Sequence, residues 1–210
     1  MRAHPSCPRC FGPLHAPSAW SSAWRCVVHG DVLPYQPPLH PTTSAVETLR
    51  RTSLVPVWLP WPLPPGWLVT GFADVGDERT GGRASVVALG GPSVTHGPAD
   101  LLMIAEEPGV GLGAALAGLA GPDPGVGFDK GPPNAKIDVL GHPASMWCVD
   151  GADDRAAYAG EALGNWLWAI AWPQEAGCLI ALAQLELRDL RSPDQDLDLP
   201  FGAFSPRLDG

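Results

Sequence analysis

Two pairs of metal-ligand residues near the N terminus constrain this chain more than any other feature of its sequence. The first pair is Cys7 and Cys10 in C-P-R-C, and the second is Cys26 and His29 in C-V-V-H, with fifteen residues between the pairs. A turn with two ligands three positions apart can aim both donor atoms at one ion, and two such turns complete a tetrahedral site. The spacing predicts a bound zinc ion. Because protein groups fill all four positions, we expect a structural site, since a catalytic zinc keeps one position open for water.

The metal motif predicts a zinc ribbon over residues 1–35. Gly12 and Gly30 follow the second ligand of each pair, where a tight turn calls for a positive φ. Trp20 and Trp24 lie between the pairs, and we expect them to cover the site and exclude water. Three other histidines could replace His29 as a ligand, but none of them lies at the matching position. They are His4, His15 and His40.

Prolines and glycines divide the rest of the chain into short pieces. There are 25 of each, and 45% of the residues are apolar, which disfavours long helices but allows a core. This composition predicts a proline-rich linker over residues 36–54 and an antiparallel, mainly β, α+β domain over residues 55–191. It also predicts a mobile acidic tail over residues 192–210. Strand-sized apolar runs occur at 67–72, 84–89, 101–106, 137–140, 145–149, 156–160, 165–172 and 179–187. The helix candidates are residues 113–119, residues 45–51 and part of the run 179–187.

Charge is unevenly distributed along the chain. Residues 1–51 carry five Arg against two acidic residues and so have a net charge of +3, whereas residues 52–210 carry 8 basic and 20 acidic residues and have −12. The acidic part should repel nucleic acid and anionic membranes. Only Arg2, Arg9 and Arg25 are candidates for contact with phosphate. We therefore expect no strong direct binding to nucleic acid and no membrane association.

The N terminus has no apolar run of the length that a signal peptide needs, and no stretch of the sequence is long and apolar enough to span a membrane. These features predict a cytoplasmic protein with reduced thiols. Outside the metal motif, Cys148 and Cys178 are isolated in apolar runs, and we expect them to be buried thiols.

A glycine-rich segment follows one of the predicted strands. Residues 106–115, E-E-P-G-V-G-L-G-A-A, superficially resemble a dinucleotide-binding turn. The third glycine is missing, and no second strand with an acidic residue follows at the expected spacing, so a structural loop is the favoured interpretation. The alternative is an enzyme or nucleotide-binding protein that uses the loop 109–113, with Glu106 or Glu107 as acid or base.

Tryptophans are concentrated in the predicted domain. Trp166, Trp168, Ile170 and Trp172 alternate along one strand and should share a face. The remaining tryptophans of this domain are Trp58, Trp61, Trp67 and Trp147. A tryptophan-rich core is the favoured interpretation, and an exposed aromatic groove for a peptide, a sugar or an apolar ligand is the alternative.

Several unusual strings together resemble an uncharacterised family of zinc-ribbon-bearing cytoplasmic proteins, a domain of unknown function from high-GC Gram-positive (actinobacterial) bacteria. The strings are C-P-R-C-x-G-P-L, W-S-S-x-W-R-C-x-x-H-G-D, V-P-V-W-L-P-W-P-L-P-x-G-W, A-E-E-P-G-V-G-L-G, G-P-D-P-G and W-L-W-A-x-x-W-P. The resemblance covers residues 1–191 and implies that members keep the four metal ligands. It implies no activity, and the segment after Leu190 is expected to be particular to this protein. The strand succession is also similar to β-rich ligand- or partner-binding domains of bacterial regulatory proteins.

The sequence thus favours a non-enzymatic protein with a zinc-bound N-terminal module and an acidic β-rich domain. Its predicted role is a regulatory or scaffolding interaction with an unknown protein partner or small ligand. The competing hypothesis remains an enzyme or nucleotide-binding protein acting at the loop 109–113.

Overall fold

The computed structural model describes residues 4–94, 97–192 and 197–209. The N-terminal strands are β1 (Leu14–His15), β2 (Trp24–Cys26) and β3 (Gly30–Val32). The remaining strands are β4 (Trp58–Pro60), β5 (Leu68–Asp77), β6 (Gly81–Pro92), β7 (Pro98–Glu106), β8 (Ala135–Val139), β9 (His142–Val149), β10 (Ala156–Ala162), β11 (Asn165–Trp172) and β12 (Glu186–Asp189). The helices are α1 (Thr43–Thr52), α2 (Leu112–Ala117) and α3 (Cys178–Leu182), and single 3₁₀ turns occur at Gln174–Gly177 and Pro206–Asp209.

The strands form two sheets. Strands β1, β2 and β3 make a small antiparallel sheet. The other nine make one sheet in the order β4-β12-β8-β9-β10-β11-β7-β6-β5, in which only the β12–β8 pair is parallel. Strand β4 at one edge also lies against β6 and β7, so the sheet curls back on itself. The predicted mainly β, antiparallel class is confirmed.

The nine-stranded sheet has a packed core on each face. One face packs under α1 and includes Leu49, Phe72 and Leu101. The other includes Trp168, Ile170 and Trp172 and packs under α2. The predicted alternation along β11 is therefore confirmed, and these tryptophans are core residues, since Trp168 and Trp172 are 0% and 3% exposed.

The segment predicted as a linker packs against the edge strand β5. The backbone N–H and C=O groups of Leu39 both pair with those of Phe72, and prolines suit such an edge because one side of the segment needs no donor. Helix α1 then begins after Thr42, whose hydroxyl accepts from the Ala45 N–H at 3.2 Å. The helix is amphipathic and buries Val46 and Leu49. The helix candidate at 45–51 is confirmed, whereas residues 36–54 pack on the fold and do not form the predicted linker.

The C-terminal segment also packs on the fold. Leu208 is 0% exposed, and its carbonyl accepts from the Tyr35 hydroxyl at 2.7 Å. Phe201 forms a parallel bridge to Val69 on β5. The structure differs here from the predicted mobile tail, because leucine and phenylalanine anchor residues 197–209; residues 193–196 and 210 of that tail lie outside the described residues.

Two smaller expectations can also be compared with the structure. The run 179–187 is not one strand: its first part is helix α3 and its last part is β12, as the alternative helix candidate there allowed.

None of the described helices has the length and apolarity needed to cross a membrane.

Candidate metal site

The four predicted ligands come together at one point of the N-terminal module, which we define as residues 4–35. The donor atoms of Cys7, Cys10, Cys26 and His29 all lie within 4.8 Å of one another. His29 faces the cluster with Nδ1, which is 3.5 Å from the Cys7 Sγ atom and 3.7 Å from the Cys26 Sγ atom. The Cys10 and Cys26 sulfurs are 3.7 Å apart. These residues could hold one metal ion.

Each ligand pair lies on a tight turn, but the residue with a positive φ occupies a different position in each turn. In the second turn Gly30 has φ +70°, as predicted. In the first, the positive φ of 54° falls on Phe11 and not on Gly12, which corrects the prediction. The Phe11 ring packs edge-on against Tyr35 at 5.7 Å between ring centroids, and this contact holds a residue type that seldom adopts such a backbone conformation.

Burial and backbone donors act in opposite directions on two of the thiols. Burial raises the pKa of Cys7, which is 0% exposed, to about 12. Burial also raises the pKa of Cys26, but hydrogen bonds from the backbone N–H groups of His29 and Val28 outweigh this effect and lower the pKa to about 6. A bound cation would favour the thiolate at every ligand cysteine and release the protons that remain.

Neither tryptophan of the N-terminal module covers the ligands as predicted. Trp20 is 97% exposed. Trp24 points to the larger sheet, where its indole N–H donates to the Asp77 carboxylate at 3.0 Å. Cys7 and Cys26 are nonetheless buried, whereas Cys10 remains exposed.

The N-terminal module docks on the larger sheet through the first ligand turn. Arg9 lies between Cys7 and Cys10 in the sequence. Its guanidinium group donates hydrogen bonds to the backbone carbonyls of Gly109 and Val110. The bond to Val110 measures 3.2 Å. Sequence reasoning considered Arg9 only as a phosphate contact and missed this role, because its partners lie about a hundred residues away.

The glycine-rich loop is held by structural partners. The Glu106 carboxylate is 0% exposed and accepts from the backbone N–H groups of Leu112 (2.8 Å) and Gly113 (3.2 Å) and from the Trp168 indole (2.8 Å). Burial raises the pKa of Glu106 to about 7. Glu107 pairs with Arg83 at 2.7 Å. The Glu106 carboxylate is thus closed off in the core and Glu107 is held in an ion pair.

Among the residues that the structure describes, the remaining candidates do not converge on a second site. Arg25 is exposed and pairs with Asp31 at 3.5 Å, while Arg2 lies outside the described residues. Cys148 is exposed, which contradicts the prediction of a buried thiol, because its side chain lies on the solvent face of β9. Cys178 is half-buried at the start of α3.

Comparison with known proteins identifies a family. The model of a family of unknown function, DUF6758, matches residues 1–208 of the chain. No curated protein and no solved structure matches it. The resemblance to a domain of unknown function is confirmed, whereas its bacterial source stays a prediction. The match reaches Leu208, so the expectation that the segment after Leu190 is particular to this protein is wrong.

Proposed function

Because the chain belongs to the DUF6758 family of unknown function, we propose its role from the site: it is a zinc-binding cytoplasmic protein that acts as a regulatory or scaffolding interaction module. The observation that carries this proposal is the convergence of four donor atoms within 4.8 Å. Three ligand thiols also favour a reducing compartment.

The spacing of the donors supports zinc. Zinc binds thiolate sulfur at about 2.3 Å and imidazole nitrogen at about 2.0 to 2.1 Å in a tetrahedron. Tetrahedral angles then place two sulfurs about 3.8 Å apart and a sulfur and a nitrogen about 3.5 Å apart. The observed separations are 3.7 Å for Cys10 and Cys26 and 3.5 Å for Cys7 and His29. In this arrangement zinc would crosslink the two ligand turns and leave no open position for chemistry.

Exposed apolar side chains on the same module support an interaction role. Trp20 is 97% exposed, and Val27 and Val28, which lie between the second pair of ligands, are 82% and 76% exposed. An exposed tryptophan can bury a large apolar area against a partner, and tryptophan is enriched among residues that dominate binding energy. The proposed partner is therefore a protein with an apolar pocket.

Affinity purification from extracts of the native host, followed by mass spectrometry, tests this role. Wild-type chain and a Leu182→Ala control, which truncates an 81% exposed leucine on α3, should capture the same proteins. Trp20→Ala should lose them while keeping its metal. If Trp20→Ala captures the same proteins, the N-terminal module is not the docking element.

Nucleic acid is the second partner class to test. Arg9 is occupied by backbone carbonyls and Arg25 by Asp31, so few phosphates could be neutralised and binding should be weak. Fluorescence anisotropy with duplex DNA and RNA at physiological salt should show no binding by the full chain. Sub-micromolar affinity there would contradict the interaction-module proposal.

A further inference from the structure

A second candidate site lies on the face of the nine-stranded sheet that packs under α1, opposite the face that carries Val110 of the glycine-rich loop. A cleft of about 760 Å³ opens between helix α1, the segment 36–39 and the β5–β6 hairpin. This volume lies within the range of small-molecule sites. Leu39 and Leu54 provide apolar wall, and Leu54 is 57% exposed although it is a large apolar residue.

Asp74 lines this cleft from the middle of β5. It lies two residues after Phe72, whose side chain packs on the core face under α1, and it pairs with Ser85 across the sheet. Side chains two apart on a strand share a face, so Asp74 faces α1. Its backbone carbonyl accepts from the Gln36 N–H at 3.0 Å, which fixes the strand at this position.

The Asp74 carboxylate has no partner of its own. Among the described residues it accepts no hydrogen bond and forms no ion pair, and burial alone raises its pKa to about 6. The hydroxyls of the cross-strand partner Ser85 and of the cleft-lining Thr48 and Thr52 donate to other groups. Ser85 donates to the Pro56 carbonyl at 2.5 Å, and Thr48 and Thr52 on α1 donate to carbonyls of their own helix at 2.9 and 3.0 Å.

A half-buried carboxylate without a donor is unfavourable for the fold, since the lost hydration is not replaced. A position that keeps such a group in a cleft of ligand size is therefore better explained by an external partner than by packing. The charge of the cleft fits a cation: Asp74, Asp77 and Glu78 line it together with one guanidinium, that of Arg51 at the exposed rim.

We propose that this cleft binds an alkyl ammonium or guanidinium group, which pairs with the Asp74 carboxylate while its carbon chain lies against Leu39 and Leu54. The group belongs to a small amine or guanidine or to a lysine or arginine side chain, and the two sources share this chemistry. This site is separate from the metal cluster and does not depend on the proposed zinc function.

Hexylamine and its uncharged analogue 1-hexanol test the proposal with the full ¹⁵N-labelled chain. Hexylamine should shift the backbone amide resonances of Leu39, Leu54 and Asp74 in a saturable titration, and 1-hexanol should bind more weakly. Asp74→Asn should weaken hexylamine binding by at least about tenfold, the value expected for a lost charge-assisted hydrogen bond. The matched control Asp153→Asn changes an exposed carboxyl elsewhere and should bind like the wild type.

A second variant keeps the test independent of how Asp74→Asn folds. Leu54→Lys places a tethered ammonium at the exposed wall of the cleft and should block hexylamine. Titration with N-acetyl-lysine-N-methylamide separates the sources, because tighter binding than hexylamine identifies a polypeptide. The proposal is overturned if hexylamine does not shift these resonances, if Asp74→Asn binds it as tightly as the wild type, or if Leu54→Lys does.

Discussion

At the scale of single residues, the glycine-rich loop shows how packing can produce a pattern that resembles a ligand-binding motif. Gly113 has an ordinary φ, but a Cβ atom there would collide with the Trp168 indole. That indole in turn donates to Glu106. The glycine is thus required by a tryptophan 55 positions further along the chain, and no local pattern could have separated this need from a phosphate-binding turn.

Gly113→Ala should lower the free energy of unfolding by about 1 to 3 kcal/mol, because it overpacks a closed core. Urea denaturation measures the change. Gly121→Ala is the matched control, since a Cβ there meets only ordinary contacts at 3.8 and 3.9 Å. A loss at Gly113 no greater than that at Gly121 would contradict the packing explanation.

Asp74→Asn should stabilise the ligand-free protein, and the gain should depend on pH. The pKa of Asp74 is raised from 3.8 to about 6 in the fold, so between these values the native state holds a proton that the unfolded chain has released. Wild-type stability therefore falls as pH rises through this window. The variant lacks that loss, so its advantage should be small at pH 4 and below and approach about 3 kcal/mol well above pH 6.

Denaturation of both proteins at pH 4, 5, 6 and 8 measures this difference. Arg51, Asp77 and Glu78 line the same cleft, and they are common to both proteins, so their titration cancels in the comparison. A variant that is less stable than the wild type at pH 8 would show that the Asp74 carboxylate has a structural partner.

At the scale of elements, the N-terminal module is held to the larger sheet by side chain contacts to loops. Arg9 reaches the loop after β7, and Trp24 reaches the β5–β6 turn. The ligand turns could be predicted because all four donors lie within 23 consecutive residues and their spacing is local. The docking contacts could not, because they join positions 53 to 101 apart.

Arg9→Met should leave the metal content unchanged but loosen this contact. Hydrogen exchange should accelerate at residues 109–111, and the protein should lose about 1 to 2 kcal/mol of stability, since two backbone carbonyls lose a charged donor. Arg25→Met is the matched control, because its ion pair is exposed and contributes little. Equal effects of the two substitutions would contradict the proposed role of Arg9.

At the scale of the whole molecule, the predicted division at residues 36–54 underestimates how much of that segment belongs to the core. Apolar alternation correctly located most strands, because period-2 patterns report burial directly. The proline cluster indicated an extended conformation, and the chain is extended there, but sequence could not show that the extended segment pairs with the edge of β5. The contacts of Phe201 and Leu208 could not be predicted either, because they follow an acidic stretch and their partners are distant in the sequence.

Truncation tests this view. A fragment of residues 34–210 keeps the pairing of Leu39 with Phe72 and the buried face of α1, and we expect it to unfold cooperatively in urea without metal. A fragment of residues 55–210 loses Val46 and Leu49 from the core and should be partly unfolded by circular dichroism. Equal stability of the two fragments would support the original boundary near Val55.

The central claim is that Cys7, Cys10, Cys26 and His29 hold one zinc ion that organises the N-terminal module. Native mass spectrometry with elemental analysis, on untagged protein prepared without chelators, tests it most directly. We predict one zinc per chain in the wild type and in Cys148→Ser, which removes an exposed thiol outside the cluster. In Cys26→Ser we predict no zinc and loss of hydrogen-exchange protection across residues 5–35. A wild-type protein without zinc, or a Cys26→Ser variant that retains a full equivalent, would contradict the claim.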